Sequence, residues 1–211
     1  MAGSSKTIHQ AKEALKRLIL TPRPGPEGHP GETFHFGIVP QGYFEGNRDW
    51  PVEEHRSIAL VTAAILDQAL QGAILSRFPG LKAGNEAYLF HSDAAPLRDL
   101  DAKIRVAFAL GLIGEGARSD LSLLRQIRDT FAHSRLDISF NTPEIAEACT
   151  HFTLPKRKPN FVSIENPSQT FIDVGWEYAI NLIVLEQDRG TPDRHAAEML
   201  DLPLPPLPET P

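Results

Sequence analysis

Apolar residues recur along this chain at spacings of three and four in several stretches, and each stretch reads as a helix with one face turned inward. Ile8, Ala11, Leu15 and Leu18 form such a face opposite Lys12, Lys16 and Arg17, which predicts an amphipathic helix over residues 6–19. From Glu54 to Phe78 the pattern thickens. Ile58, Val61, Ile65, Leu66, Ala69, Leu70, Ala73 and Ile74 leave little polar surface, so this helix is expected at the centre of the fold. Leu100, Ile104 and Phe108 predict a helix over about 97–112, and Leu121, Leu124, Ile127 and Phe131 another over 117–134. Thr142-Pro143-Glu144 supplies an N-cap, a first-turn proline and an early acid for the next helix. On it Cys149 follows Ile145 by about one turn, as a small buried hydrophobe. Phe171, Val174, Tyr178, Leu182 and Leu185 predict a last helix over 169–187, which Trp176, Ile180 and Ile183 make apolar over a wide arc, so it should dock on the bundle.

Between these segments the chain is punctuated by Pro and Gly. Residues 21–46 are too rich in both for helix, and Phe34, Phe36, Tyr43, Phe44 and Trp50 imply that this connection packs on the helical core, with short extended pieces such as 33–39. GLIGEG (111–116) lacks the Lys-Ser/Thr that a phosphate-binding loop requires and reads as a helix-stop turn. LPKRKPN (154–160) breaks the chain again, and the Pro-rich end LPLPPLPETP reads as an extended, disordered tail. The expected fold is an all-α bundle of five or six helices, with strand confined to short pieces before residue 50 or near 154–166. Residues 1–53 form an N-terminal helix plus an irregular packing segment, 54–153 the helical core, 154–190 a docking helix and 191–211 a flexible tail.

Composition narrows the chemistry. The 211 residues suffice for one domain with appendages, and 41% hydrophobic with 23% charged content is ordinary for a soluble globular chain. No apolar run is read as reaching the roughly 18–20 residues of a membrane span, and the lysine-bearing N-terminus has no signal cleavage pattern. A cytoplasmic protein without a membrane partner is expected. One cysteine excludes an intramolecular disulfide, and none of the eight histidines stands in an H-E-x-x-H pair, so neither metal nor cofactor is expected. No G-x-S-x-G elbow or nucleotide-binding glycine loop is present. The net charge of −6 weighs against DNA or RNA as a partner, because phosphate binding uses clustered Lys and Arg.

Polar residues inside apolar-periodic helices are the remaining candidates. Asp67 interrupts the central helix and is costly to bury unpaired. Arg125 and Arg128 are its natural partners, while the alternative places it on one wetted strip with Gln71. Asp129 and His133 are four apart, so the carboxylate and the helix C-terminus would both favour an imidazolium. Arg128 lies five residues before His133, roughly 140° away around a straight helix of about 3.6 residues per turn. The two meet only if the helix end distorts or a second copy of the helix comes alongside.

The segment Arg128-Asp-Thr-Phe-Ala-His133 resembles the signature of the mannitol operon repressor family and, more broadly, the R-x4-6-H motif of HEPN-type helical domains. The blocks 55–78, 89–121 and 138–145 resemble that family in its order, covering about half of the chain, from near Glu54 to near Phe152. The resemblance implies a helical regulator that acts through protein contacts or indirect transcriptional control, as a homodimer with a regulatory protein partner. In HEPN-type ribonucleases it implies instead metal-independent RNA cleavage, with Arg128, Asp129 and His133 catalytic at a two-fold cleft. There a histidine would move the 2′-hydroxyl proton and a guanidinium would hold the charge on the scissile phosphate. The contrasting role for Asp67, Arg125 and Arg128 is structural or binding, with His133 bonded to Asp129 at the helix end, and that role is favoured. A DNA-reading helix-turn-helix is disfavoured, because the 119–135 helix is apolar over much of its surface and its turn is long.

Overall fold

The computed structural model of the protein describes residues 7–20, 52–78, 81, 85–158, 166–187 and 192–206. Among them run nine helices: α1 (Ile8–Leu20), α2 (Val52–Leu75), α3 (Ala87–Phe90), α4 (Leu100–Ala109), α5 (Glu115–His133), α6 (Pro143–Cys149), α7 (Leu154–Arg157), α8 (Pro167–Gln187) and α9 (Arg194–Met199). The fold is all-α, as the periodicity predicts, and no strand occurs among the described residues. Residues 33–39 and the aromatics Phe34, Phe36, Tyr43, Phe44 and Trp50 lie outside the described residues.

α2 is the central helix and packs against α8, α5 and α4. Ile58, Leu66, Leu70 and Ile74 are fully buried, as the sequence predicts for a helix with so little polar surface. Small residues set how closely it meets α8. A Cβ on Gly175 would overlap the Thr62 methyl, and Ala59, Ala63, Ala69, Ala73 and Ala179 are buried. By length and composition Glu53–Leu75 is apolar enough to cross a membrane, which corrects the reading that no run reaches that length. Half of that window is nevertheless buried inside the protein, the expected environment for the core helix of a bundle.

α5 turns Leu121, Leu124, Ile127 and Phe131 into the core, and Phe131 packs on Phe140, which packs on Phe171 of α8. α1 lies across α5 and α6 with Ala11, Leu15 and Leu18 buried. At α6, Thr142 takes the N-cap position and Pro143 the first turn. Its hydroxyl turns back to accept the Ser139 N–H at 2.9 Å instead of capping the helix.

The turn between α4 and α5 follows the glycine reading. Gly111 has φ +66 after the α4 end, a conformation L side chains rarely adopt. Gly114 is the N-cap of α5 and donates to Leu200 O at 2.7 Å, while Gly116 N donates to Asp201 Oδ2 at 2.7 Å. These bonds correct the flexible-tail expectation for the segment through Leu202, while residue 191 and residues 207–211 lie outside the described residues. α9 buries Ala196, Ala197 and Met199, Leu200 is buried behind it, and the chain continues without regular structure from Leu202 to Pro206. The break at 154–160 also needs correction, because Leu154–Arg157 close one helical turn, α7, whose buried Leu154 and Pro155 anchor it.

Candidate functional site

α5 carries the candidate residues on its outer and lateral surface. Arg118, Ser122, Arg125 and Asp129 are four, three and four apart and share one strip, with His133 four further on. Arg125 Nη1 donates to Asp129 Oδ2 at 2.8 Å, and Arg128 Nη1 donates to Asp129 Oδ1 at 2.9 Å. Asp129 therefore spends one oxygen on each guanidinium. Arg125 also reaches α4, where its Nε lies 3.4 Å from Asp101 Oδ1 and Arg105 Nη2 lies 3.1 Å from Asp101 Oδ2. The Arg125 Nε contact is an electrostatic approach without hydrogen-bond geometry, and that nitrogen and Arg128 Nε are both buried without a hydrogen bond. The result is a chain of alternating charges, Arg105-Asp101-Arg125-Asp129-Arg128, that ties α5 to α4.

His133 stands apart from this chain. It is the exposed last residue of α5 and has no hydrogen-bond or ion-pair partner among the described residues. The expected bond to Asp129 does not form: the carboxylate is turned to the two guanidiniums, one on each oxygen, and the imidazole lies exposed at the helix end. α5 stays regular to its end, with Ser134 N donating to Thr130 O at 2.9 Å, so no distortion brings His133 round to Arg128. The helix end is instead fixed by its neighbours: Ser134 Oγ donates to Leu18 O of α1 at 3.3 Å, and Arg56 of α2 reaches Ser134 O at 3.5 Å.

Asp67 pairs with Lys103, not with Arg125 or Arg128. Lys103 Nζ donates to Asp67 Oδ2 at 2.6 Å and sits 5.6 Å from the Phe90 ring centroid. The lysine side chain is 3% exposed and the aspartate 34%. Lys103 shares the buried face of α4 with Ile104 and Ala107, and that face meets α2, whereas Arg125 and Arg128 project from the less buried side of α5. The wetted-strip reading of Asp67 with Gln71 holds in part, since Asp67 keeps a third of its exposure and Gln71 Nε2 lies 3.2 Å from His91 Nε2.

A second polar centre escapes sequence reasoning. Asp120, buried in α5, accepts hydrogen bonds from Thr153 N at 2.7 Å, Leu154 N at 2.9 Å, Thr153 Oγ1 at 3.0 Å and Tyr178 OH at 2.7 Å. Burial pushes its pKa up, against the pull of those four donors. Tyr178 in turn accepts from Arg157 Nη2 at 3.0 Å, and Arg157 Nη1 donates to Glu198 O at 2.9 Å. A perturbed buried carboxylate is a general mark of a working site. Here every bond it makes goes to backbone or hydroxyl groups of α7 and α8, so its work is to hold those elements to α5. The sequence signal was Asp120 directly beside Leu121 on an otherwise apolar face. Burial also raises the Cys149 thiol pKa well above its usual range, which leaves a packing role. Among the described residues, no group of three or more His, Cys, Asp or Glu is arranged to hold a metal ion.

The family model described as mannitol repressor matches residues 87–176, from the start of α3 to the middle of α8. The chain resembles that family over this region, which contains Arg125, Arg128, Asp129 and His133. The match leaves out the 55–78 block and extends beyond Phe152. No curated protein and no solved structure matches the chain.

Proposed function

We propose, on the premise of a mannitol repressor-like region over residues 87–176, that this is a cytoplasmic regulatory protein that acts through contacts with other proteins and works as a homodimer. The observation that supports this reading over catalysis is the state of the signature: Arg128 is engaged with Asp129, and His133 is exposed elsewhere on a straight helix. In a lone protomer so arranged, Arg128 and His133 do not converge on one reacting phosphate. The acidic balance of −6 argues in the same direction, because direct operator binding would need a concentrated positive surface. Regulation without DNA contact requires a protein partner, and the α5 strip, where paired charges alternate with unpaired donors, is the part of the matched region suited to meet one.

The test of this reading is a gel-shift titration on the DNA upstream of its own gene, repeated over a range of salt. Expected is weak or absent binding at physiological salt, with no sequence preference. Tight, selective binding that falls steeply with salt would overturn the reading and direct mutation to the Lys6–Arg17 and Lys156–Lys158 segments. A dimer is expected in sedimentation, at twice the 23.3 kDa of one chain.

A further inference from the structure

α2 is apolar around most of its circumference, yet half of its most apolar window lies outside the core. Val61, Ala64, Ile65, Gln68 and Leu75 recur at helical spacing opposite the buried Leu66, Leu70 and Ile74, and none of the five is fully buried. α8 runs beside this strip. A Cβ on Gly175 would overlap the Thr62 methyl and one on Gly72 the Glu186 carboxyl, so the two helices touch twice in the same chain order and are parallel. At about 100° per residue, Ile65 and Gln68 lie roughly 60° and 120° to one side of Thr62, and Ile183 and Ile180 roughly 80° and 140° to the other side of Gly175. Opposite turns from a shared contact line bring these four residues to one face of the parallel pair. There Ile180 and Ile183 are 39% and 40% exposed.

Size and charge both suit this face to a contact between like chains. Helices of 24 and 21 residues lie side by side. They offer a surface roughly 30 Å long and about 20 Å wide, or about 600 Å² from each protomer. A pair would bury about 1,200 Å², above the roughly 1,000 Å² expected of a biological interface. From Val61 to Leu75 the α2 strip carries no charged residue, so a copy meets it without setting like charges against each other. Glu186 stands towards one end, over Gly72. Because the helices are parallel, a two-fold axis near Gln68 and Ile180 sets the second pair antiparallel to the first. The two Glu186 carboxyls then lie roughly 18 Å apart, beyond a Debye length of about 8–10 Å. A lipid surface fits less well, since Glu53, Glu54, Glu177 and Glu186 at the margins outnumber Arg77, and anionic headgroups attract basic margins.

We propose that a second copy of this chain covers the α2/α8 face, in a two-fold dimer centred near Gln68 and Ile180. The proposal rests on the homodimer reading above and supplies its interface. Val61, Ile65, Ile180 and Ile183 all lie outside the region matched to the mannitol repressor family, so the resemblance does not carry it. Arg56 and Asp67, which reach Ser134 at the end of α5 and Lys103 of α4, mark the other side of α2. The two signature helices therefore sit on the far flanks of the dimer. Arg128 of one chain stays remote from His133 of the other, and the α5 strip is left open to a different protein.

The experiment is sedimentation equilibrium of the full chain at low micromolar concentration. Ile183→Asp and the double variant Ile180→Gln/Ile183→Gln are run beside wild type, with Tyr88→Asp, at an exposed aromatic of α3, as the control. Wild type and Tyr88→Asp are expected to be dimers. Both face variants are expected to keep helical circular dichroism and to dimerise more weakly by about tenfold or more. If Ile183→Asp misfolds, the glutamine pair decides alone. Undiminished dimers in the folded face variants leave the homodimer reading standing and overturn this interface. A monomeric wild type overturns both, and its flotation with vesicles of phosphatidylcholine and phosphatidylglycerol would assign the face to lipid instead.

Discussion

Asp67 and Arg128 each form half of an ion pair, and their surroundings decide what losing each one costs. Asp67→Ala strands the Lys103 ammonium at 3% exposure, and the expected loss is about 2–3 kcal/mol, at the low side for a buried pair because Asp67 itself keeps a third of its exposure. Arg128 is 40% exposed and shares Asp129 with Arg125, so Arg128→Ala should cost about 1 kcal/mol or less. Urea unfolding of the two variants beside wild type checks the order, and a larger loss for Arg128→Ala would contradict the pairing described. Asp173 provides a second test at this scale. Burial, followed by the charge of Glu177, pushes its pKa from 3.8 up to about 6, and its Oδ2 is buried without a hydrogen-bond partner among the described residues. A carboxyl raised in the folded state contributes stability that is fully present below pH 3.8 and lost as pH rises through about 6. Asp173→Asn should therefore melt above wild type at pH 7, with the advantage shrinking towards pH 4. A difference independent of pH would refute this.

At the scale of elements, the junction of α5 with the C-terminal segment depends on a missing side chain. A Cβ on Gly114 would overlap the Asp201 carbonyl, a backbone group held in place by the Gly116–Asp201 and Gly114–Leu200 bonds. Gly114→Ala should cost roughly 1–3 kcal/mol, as overpacking does, and should open 194–202 to hydrogen exchange before the rest of the bundle. Uniform protection would show that the segment docks by other means. This lock also marks the limit of what the sequence makes legible. The long helices were readable, because each carries a repeating apolar face whose period does not depend on its neighbours. α9 and α7 were not, since six and four residues hold too little periodicity, and their burial comes from partners far along the chain. Within the candidate site the spacing of four permits the Arg125–Asp129 pair, but the sequence reading assigned Arg125 to Asp67 and Asp129 to His133. The Asp67–Lys103 pair spans 36 residues and depends on how α4 rotates against α2, which no local pattern encodes. His133 was misplaced because spacing permits a contact with Asp129 without ranking it against two competing arginines.

For the whole molecule, the bundle presents the 87–176 region with its signature helix held by α1 packed across it and by the ion-pair chain to α4. Such a helix end does not distort cheaply, since Ser134 is bonded to α1 and approached by Arg56 of α2. Joining Arg128 and His133 at one phosphate would therefore require residues from two chains. The reading proposed above is that this protein regulates through contacts and does not cleave RNA. Its most direct test is a single-stranded RNA cleavage assay in metal-free buffer on purified wild type and His133→Ala, at concentrations where the proposed dimer is expected in sedimentation. No cleavage above background is expected in either, with closely similar melting temperatures, since His133 is exposed and has no partner among the described residues. Metal-independent cleavage by wild type that disappears in a stably folded His133→Ala would contradict it.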